Sequence, residues 1–137
     1  MNSAVRFQQP SSRQTNLKTN ELHLQADWRF EESGQRRHYV IEALIDGKFA
    51  GRAYGWFEPG ERFVLEKIEV DKAHRSKGYG TRVIEQLRAK AREKGCREFV
   101  IQGVRPANVR AIRLYESMGA QAVQGSAHLL SFVIAPP

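Results

Sequence analysis

Apolar residues at Leu22, Leu24, Ala26, Trp28 and Phe30 alternate with Glu21, His23, Gln25, Asp27 and Arg29, the period of two that a strand with one buried face requires. A second strand reads from His38 to Ile45. Asp46-Gly47 predicts a tight hairpin into a third, Phe49 to Phe57, which Pro59-Gly60 ends. Phe63, Val64, Leu65, Ile68 and Val70 then place apolar side chains on both faces, as a central fourth strand needs. The period changes at Val83, Ile84, Leu87 and Ala91, which recur at helical spacing with Arg and Lys between them, and Gly95 marks the stop. Phe99, Val100, Ile101 and Val104 form a fifth strand, which the preceding helix allows to run parallel to the fourth. Pro106 breaks it. Asn108 caps a second helix carrying Ala111, Ile112, Leu114, Tyr115 and Met118, and Gly119 ends that helix. Ala122-Val123 and Leu129 to Ile134 are two closing strands around Gly125-Ser126.

Residues 1–20 lack any such period and are rich in Ser, Gln and Asn, so a disordered leader is expected there, with one folded domain over 21–137. Lys and Arg outnumber Asp and Glu by 22 − 15 = 7, which favours polyanionic company such as phosphorylated cofactors, nucleic acid or acidic protein surfaces. Nucleic acid ranks low, because the basic residues are spread along the chain without interleaved aromatics. A single cysteine, Cys96, cannot make an internal disulfide. With no Cys/His cluster, no metal is expected, and with no secretory or membrane-length apolar run the expected location is the cytoplasm.

The chemistry concentrates between the fourth strand and the first helix, in Arg75-Ser76-Lys77-Gly78-Tyr79-Gly80-Thr81. Gly78 and Gly80 remove Cβ where the backbone turns, so consecutive N–H groups can converge at the positive end of a helix dipole, and Arg75 and Lys77 add full charges. That is a cradle for an anion, although a solvated basic turn has the same composition. Neither the nucleotide P-loop spacing nor the three-glycine dinucleotide fingerprint is present.

Strand, Arg75-x-x-Gly78-x-Gly80-Thr81, helix, strand, Asn108, and then Ala111-Ile112-Arg113-Leu114-Tyr115-Glu116-Ser117-Met118-Gly119-Ala120 resembles the GCN5-related N-acetyltransferases (GNAT superfamily) over roughly residues 36–125. The second half looks like bacterial enzymes that acetylate a ribosomal-protein N-terminus, and Val64 to Val70 looks like the polyamine acetyltransferases. The resemblance implies an α/β (α+β) fold with a mixed, mostly antiparallel central sheet splayed between strands 4 and 5. It implies acetyl-CoA as cosubstrate, with its pyrophosphate on Arg75, Ser76, Lys77, Gly78, Tyr79, Gly80 and Thr81, and a further contact at Asn108. The pantetheine arm would pair with the backbone of Ile68, Glu69 and Val70, where one N–H could stabilise an oxyanion. Tyr115 takes the place of the acid that protonates the departing thiolate, and Glu66 that of the polyamine enzymes' base.

Two positions depart from the family. Gly103 stands where the ribosomal-type enzymes carry their glutamate. Only Glu31 to Arg37 separate the first two strands, so the front lacks the usual two helices that wall the acceptor side. A second subunit, as in a homodimer, or the leader would complete it. The expected activity is N-acetylation of a primary amine in a small molecule or peptide. A non-catalytic acetyl-CoA-binding regulator is the alternative. His74 reads as a solvated turn residue, Cys96 as a small core residue, and Trp28 and Trp56 as core or interface aromatics.

Overall fold

The computed structural model describes residues 21–30, 34–75 and 77–137. The expected leader and Ser76 of the glycine turn lie outside the described residues. Seven strands, β1 (Leu22–Phe30), β2 (Arg37–Ile45), β3 (Lys48–Glu58), β4 (Arg62–Val70), β5 (Glu98–Val104), β6 (Gln121–Gln124) and β7 (Leu130–Ile134), and two helices, α1 (Tyr79–Glu93) and α2 (Val109–Ser117), follow the expected order. The strands form one sheet in the order β1-β2-β3-β4-β5-β7-β6. Only the β4–β5 neighbours are parallel. The crossover through α1 makes that pairing available.

The hairpin between β2 and β3 has the expected chemistry. Asp46 and Gly47 both adopt positive φ, 53° and 80°, the combination that matches a two-residue turn to the strands' twist. In α1, Val83, Ile84, Leu87 and Ala91 are buried. In α2, Asn108 Oδ1 accepts from the Ala111 N–H at 3.2 Å, a cap worth about 1 kcal/mol. Both helices contribute to one large core cluster with Phe63, Leu65, Phe99 and Phe132. The opposite sheet face carries a separate, smaller cluster of Trp56, Val64 and Val100 with Val133 beside it. Both tryptophans are aromatics of these clusters, as expected. Cys96 is buried as well, and its thiol is raised above its ordinary pKa chiefly by that burial.

Two irregularities open the sheet. The β3–β4 register steps from Tyr54↔Lys67 to Gly55↔Leu65, so Glu66 has no partner and forms a bulge. The β5–β7 register steps from Ile101↔Phe132 to Val104↔Leu130, leaving one surplus residue at Gln102–Gly103, with Gly103 at φ 72°. On their shared side, β4 and β5 pair only from Arg62↔Glu98 to Leu65↔Ile101. Beyond those points the strands separate, which is the expected splay. Among the described residues no helix lies between β1 and β2, which pair directly from Leu22↔Ile45 to Phe30↔Arg37.

Candidate active site

Apolar phase shows what the bulge does to β4. Phe63 and Leu65 face the helix-bearing core, and so do Ile68 and Val70, a step of three where a regular strand allows only two. Without the surplus residue, Lys67 and Glu69 would turn into that core and Ile68 and Val70 out of it. Instead Lys67 and Glu69 are exposed and lie 3.5 Å apart as an ion pair. Strict alternation, which would set Glu66 and Glu69 on opposite faces, therefore does not run through Glu66. The slip leaves a trace in the sequence as two consecutive polar positions, Glu66-Lys67, between the apolar residues Leu65 and Ile68.

Where β4 and β5 part, a cleft of about 300 Å³ is lined by Leu65, Glu66, Lys67 and Ile68 from β4, by Ile101 to Val104 from β5, and by Arg105, Asn108 and Tyr115. The structure thus brings the two expected catalytic residues, Glu66 and Tyr115, to one cavity. Tyr115 is 8% exposed and its ring packs against Phe132 at 5.6 Å. Burial raises its hydroxyl above the usual phenol range, so it is held protonated. Gly103, in place of a glutamate, borders the same cleft and supplies no carboxylate.

A second cleft, of about 500 Å³, opens at the N-terminus of α1. Its lining includes Val70, Arg75, Gly78, Tyr79, Gly80, Thr81 and Asn108, so most of the residues expected at the cofactor meet there. Asn108 borders both clefts and joins the anion cradle to the space between the strands. Gly78 is the N-cap at φ 80°, and no acidic side chain occupies the first turn of α1. The first-turn N–H groups have no intrahelical partners and share the cleft with the positive end of the dipole.

Some expected residues play other parts. Gly80 is already helical, and a Cβ on it would meet only Val70 Cγ2, at 3.9 Å. Its missing side chain leaves room over the cleft floor and serves no sharp turn. Arg75 donates from Nε to the Val70 carbonyl at 3.0 Å, tying the cradle to the end of β4. Lys77 and Glu69 do not line either cleft. Tyr79 is buried, with its ring against His74 at 5.6 Å.

His74, read from the sequence as a solvated turn residue, is half-buried, lines the larger cleft and lies 3.5 Å from Asp71 Oδ2. Arg110, Ala111 and Leu114 add a wall from α2. Gln102 and Arg105 line the smaller cleft. No spacing rule singles these out, because only tertiary placement of the 3-10 turn, the β5 end and α2 brings them to the site. Among the described residues no group of His, Cys, Asp and Glu gathers as a metal site, and no helix is long and apolar enough to cross a membrane.

A mixed sheet parted between its two parallel strands, with a glycine-opened helix N-terminus at the gap, is the architecture that the resemblance to the GNAT acetyltransferases implied. The sequence matches the acetyltransferase (GNAT) family over residues 4–120, and the chain belongs to that family. Thialysine N-epsilon-acetyltransferase of Mus musculus is 37% identical over 73 residues, 53% of this chain and 42% of that protein, so the chain matches less than half of that relative's length. Nourseothricin acetyltransferase superposes with a TM-score of 0.60 at 25% identity, over 79% of this chain and 69% of that one. A GNAT family acetyltransferase from Elizabethkingia anophelis, solved with acetyl-CoA bound, gives a TM-score of 0.62 over 86% of this chain and 99% of that one. Its identity of 12% makes that likeness one of fold.

Proposed function

We propose that this chain is an acetyl-CoA-dependent N-acetyltransferase that acetylates a primary amine by direct attack. The observation that carries the reading is the meeting of Glu66 and Tyr115 in one cleft, joined through Asn108 to the cradle at the head of α1. Acetyl-CoA supplies the activated acetyl group. The first-turn N–H groups of α1 and the Arg75 guanidinium hold its pyrophosphate, and the free edges of β4 and β5 accept the pantetheine arm as an added strand. Tyr115 donates the proton that the departing thiolate needs. A thiol near pKa 8.5 leaves more readily as the neutral form, and a phenol held above its usual range keeps its proton at neutral pH.

The acceptor must attack without its own proton. An amine of lysine type, with a pKa near 10.4, is neutral in only ~0.04% of molecules at pH 7, so deprotonation costs about 4.6 kcal/mol. An α-amino group costs about 1 to 1.4 kcal/mol. A carboxylate at Glu66 is useful chiefly for the first kind, and the ε-amine acceptor in the name of the mouse relative belongs with it. The acceptor is therefore a high-pKa primary amine, a polyamine or lysine-like side chain, with Glu66 taking its proton directly or through a water. A second copy of the chain walls the acceptor side, which bears no helix among the described residues. A fully active monomer in sedimentation at assay concentration would remove that part.

Turnover of acetyl-CoA against free amines, polyamines, aminoglycosides and peptides, with products identified by mass, tests the whole. Glu66→Gln should depress kcat/KM at pH 7 and recover about ten-fold per pH unit as the free amine becomes available. Products confined to α-amines, with Glu66→Gln equal to the unaltered chain, would refute the base. Acetyl-CoA binding without turnover of any amine would favour a binding protein instead.

A further inference from the structure

The bulge that presents Glu66 is held from two strands away. Tyr39, in β2, is 1% exposed and donates its hydroxyl to the Val64 carbonyl, two residues before Glu66, at 2.7 Å. To reach β4 it must cross β3, and it does so at its own cross-strand partner, Gly55. A Cβ at Gly55 would stand 2.0 Å from the Val64 oxygen and 2.9 Å from the Tyr39 hydroxyl, so only glycine admits both. Gly55 in turn pairs with Leu65, on the step of the register that leaves Glu66 unpaired. The Val64 carbonyl thus leans toward the core face beside the skipped residue, and the Tyr39 hydroxyl fixes it there.

Tyr39 is itself immobilised. Its ring packs at 5.0 Å from Phe63 and 5.4 Å from Trp28. Burial, and then the nearby charge of Glu66, raise its hydroxyl well above the ordinary phenol range. It remains a neutral donor at any working pH, and the carbonyl it serves is never left without that partner. A buried carbonyl deprived of its donor costs free energy, and the local backbone then has reason to relax.

We propose that Tyr39 and Gly55 are positioning residues that lock the β4 bulge and so aim Glu66 into the cleft it shares with Tyr115. The inference rests on the reading that Glu66 serves the transfer, but the lock itself can be measured apart from activity. Tyr39→Phe keeps the ring and removes the donor. Amide hydrogen exchange at Glu66 and Lys67 should then quicken by about ten-fold or more, with Phe63 and Val64 little changed. With a high-pKa amine, kcat/KM for the acceptor should fall by roughly ten-fold while the KM for acetyl-CoA stays within about two-fold. In a Glu66→Gln background the same change should alter kcat/KM by less than about two-fold, because Tyr39 acts through Glu66. A general loss of core packing would lower both backgrounds equally. Gly55→Ala should disturb the same amides, and if it fails to fold the Tyr39→Phe results stand alone. Unchanged exchange at Glu66 and Lys67 in folded Tyr39→Phe, or the same loss of activity in both backgrounds, overturns the proposal. If Glu66→Gln alone matches the unaltered chain, the base assignment falls and exchange alone decides the lock.

Discussion

Tyr115 and Tyr39 are both buried phenols whose hydroxyls are raised by burial, yet they do different work because one faces a cleft and the other a carbonyl. On the proposed mechanism, the protonated form of Tyr115 is the useful one. Tyr115→Phe, which keeps the packing against Phe132, should lower kcat by roughly 100-fold with little change in the KM for acetyl-CoA. Its loss on titration belongs above pH 10, so any alkaline limb below that pH must survive in the Phe variant. Tyr39 has a consequence for stability. Its folded pKa lies above the unfolded value of about 10, so its contribution is complete below pH 10 and is lost as pH rises toward the folded pKa. Alkaline denaturation followed by circular dichroism should therefore show stability falling less steeply above pH 10 in Tyr39→Phe than in the unaltered chain. An identical slope would mean that Tyr39 ionises as freely folded as unfolded.

At the level of elements, the two glycines of the cradle separate into distinct roles. Gly78 has positive φ and nothing within 4 Å of its absent Cβ, whereas Gly80 is helical with its absent Cβ directed toward Val70 in the cleft. Gly80→Ala should stabilise the fold by about 0.5 to 1 kcal/mol, as alanine does in a helix, and still weaken CoA binding in calorimetry. Gly78→Ala should cost about 1 to 2 kcal/mol from the left-handed backbone and affect binding less. Loss of affinity at Gly78 and none at Gly80 would reverse these roles. The elements themselves were legible because their periods are clean: alternation in β1, helical spacing in α1, and Asp46-Gly47 where φ had to be positive. The insertion of β7 between β5 and β6 was not legible, since β6 is four exposed residues with no pattern that selects a neighbour. Nor was the short 3-10 turn at Lys72–His74, which draws His74 into the cleft. Glu66 and Tyr115 stood out through resemblance to a family. Their shared cavity depends on bulges in β4 and β5, of which only the slip at Glu66-Lys67 leaves a trace in the sequence.

Across the whole molecule, an excess of seven positive charges suits the polyanionic cosubstrate proposed above. Arg75 and Arg110 line the larger cleft, Arg105 borders the smaller one, and no acid lies in the first turn of α1. On the proposed function, such a field would draw acetyl-CoA toward the cradle from beyond contact distance and act on encounter and binding more than on the transfer step. Screening shortens its reach from about 10 Å at 0.1 M salt to about 3 Å at 1 M. The KM for acetyl-CoA should accordingly rise several-fold across that range while kcat, set by contacts at the reacting groups, changes by less than about two-fold. On the proposed reading the acceptor is a cation at neutral pH, so its own KM should not rise with salt as that for acetyl-CoA does. A KM for acetyl-CoA indifferent to salt would mean that the first-turn N–H groups alone hold the phosphates, and that the basic surface serves some other partner.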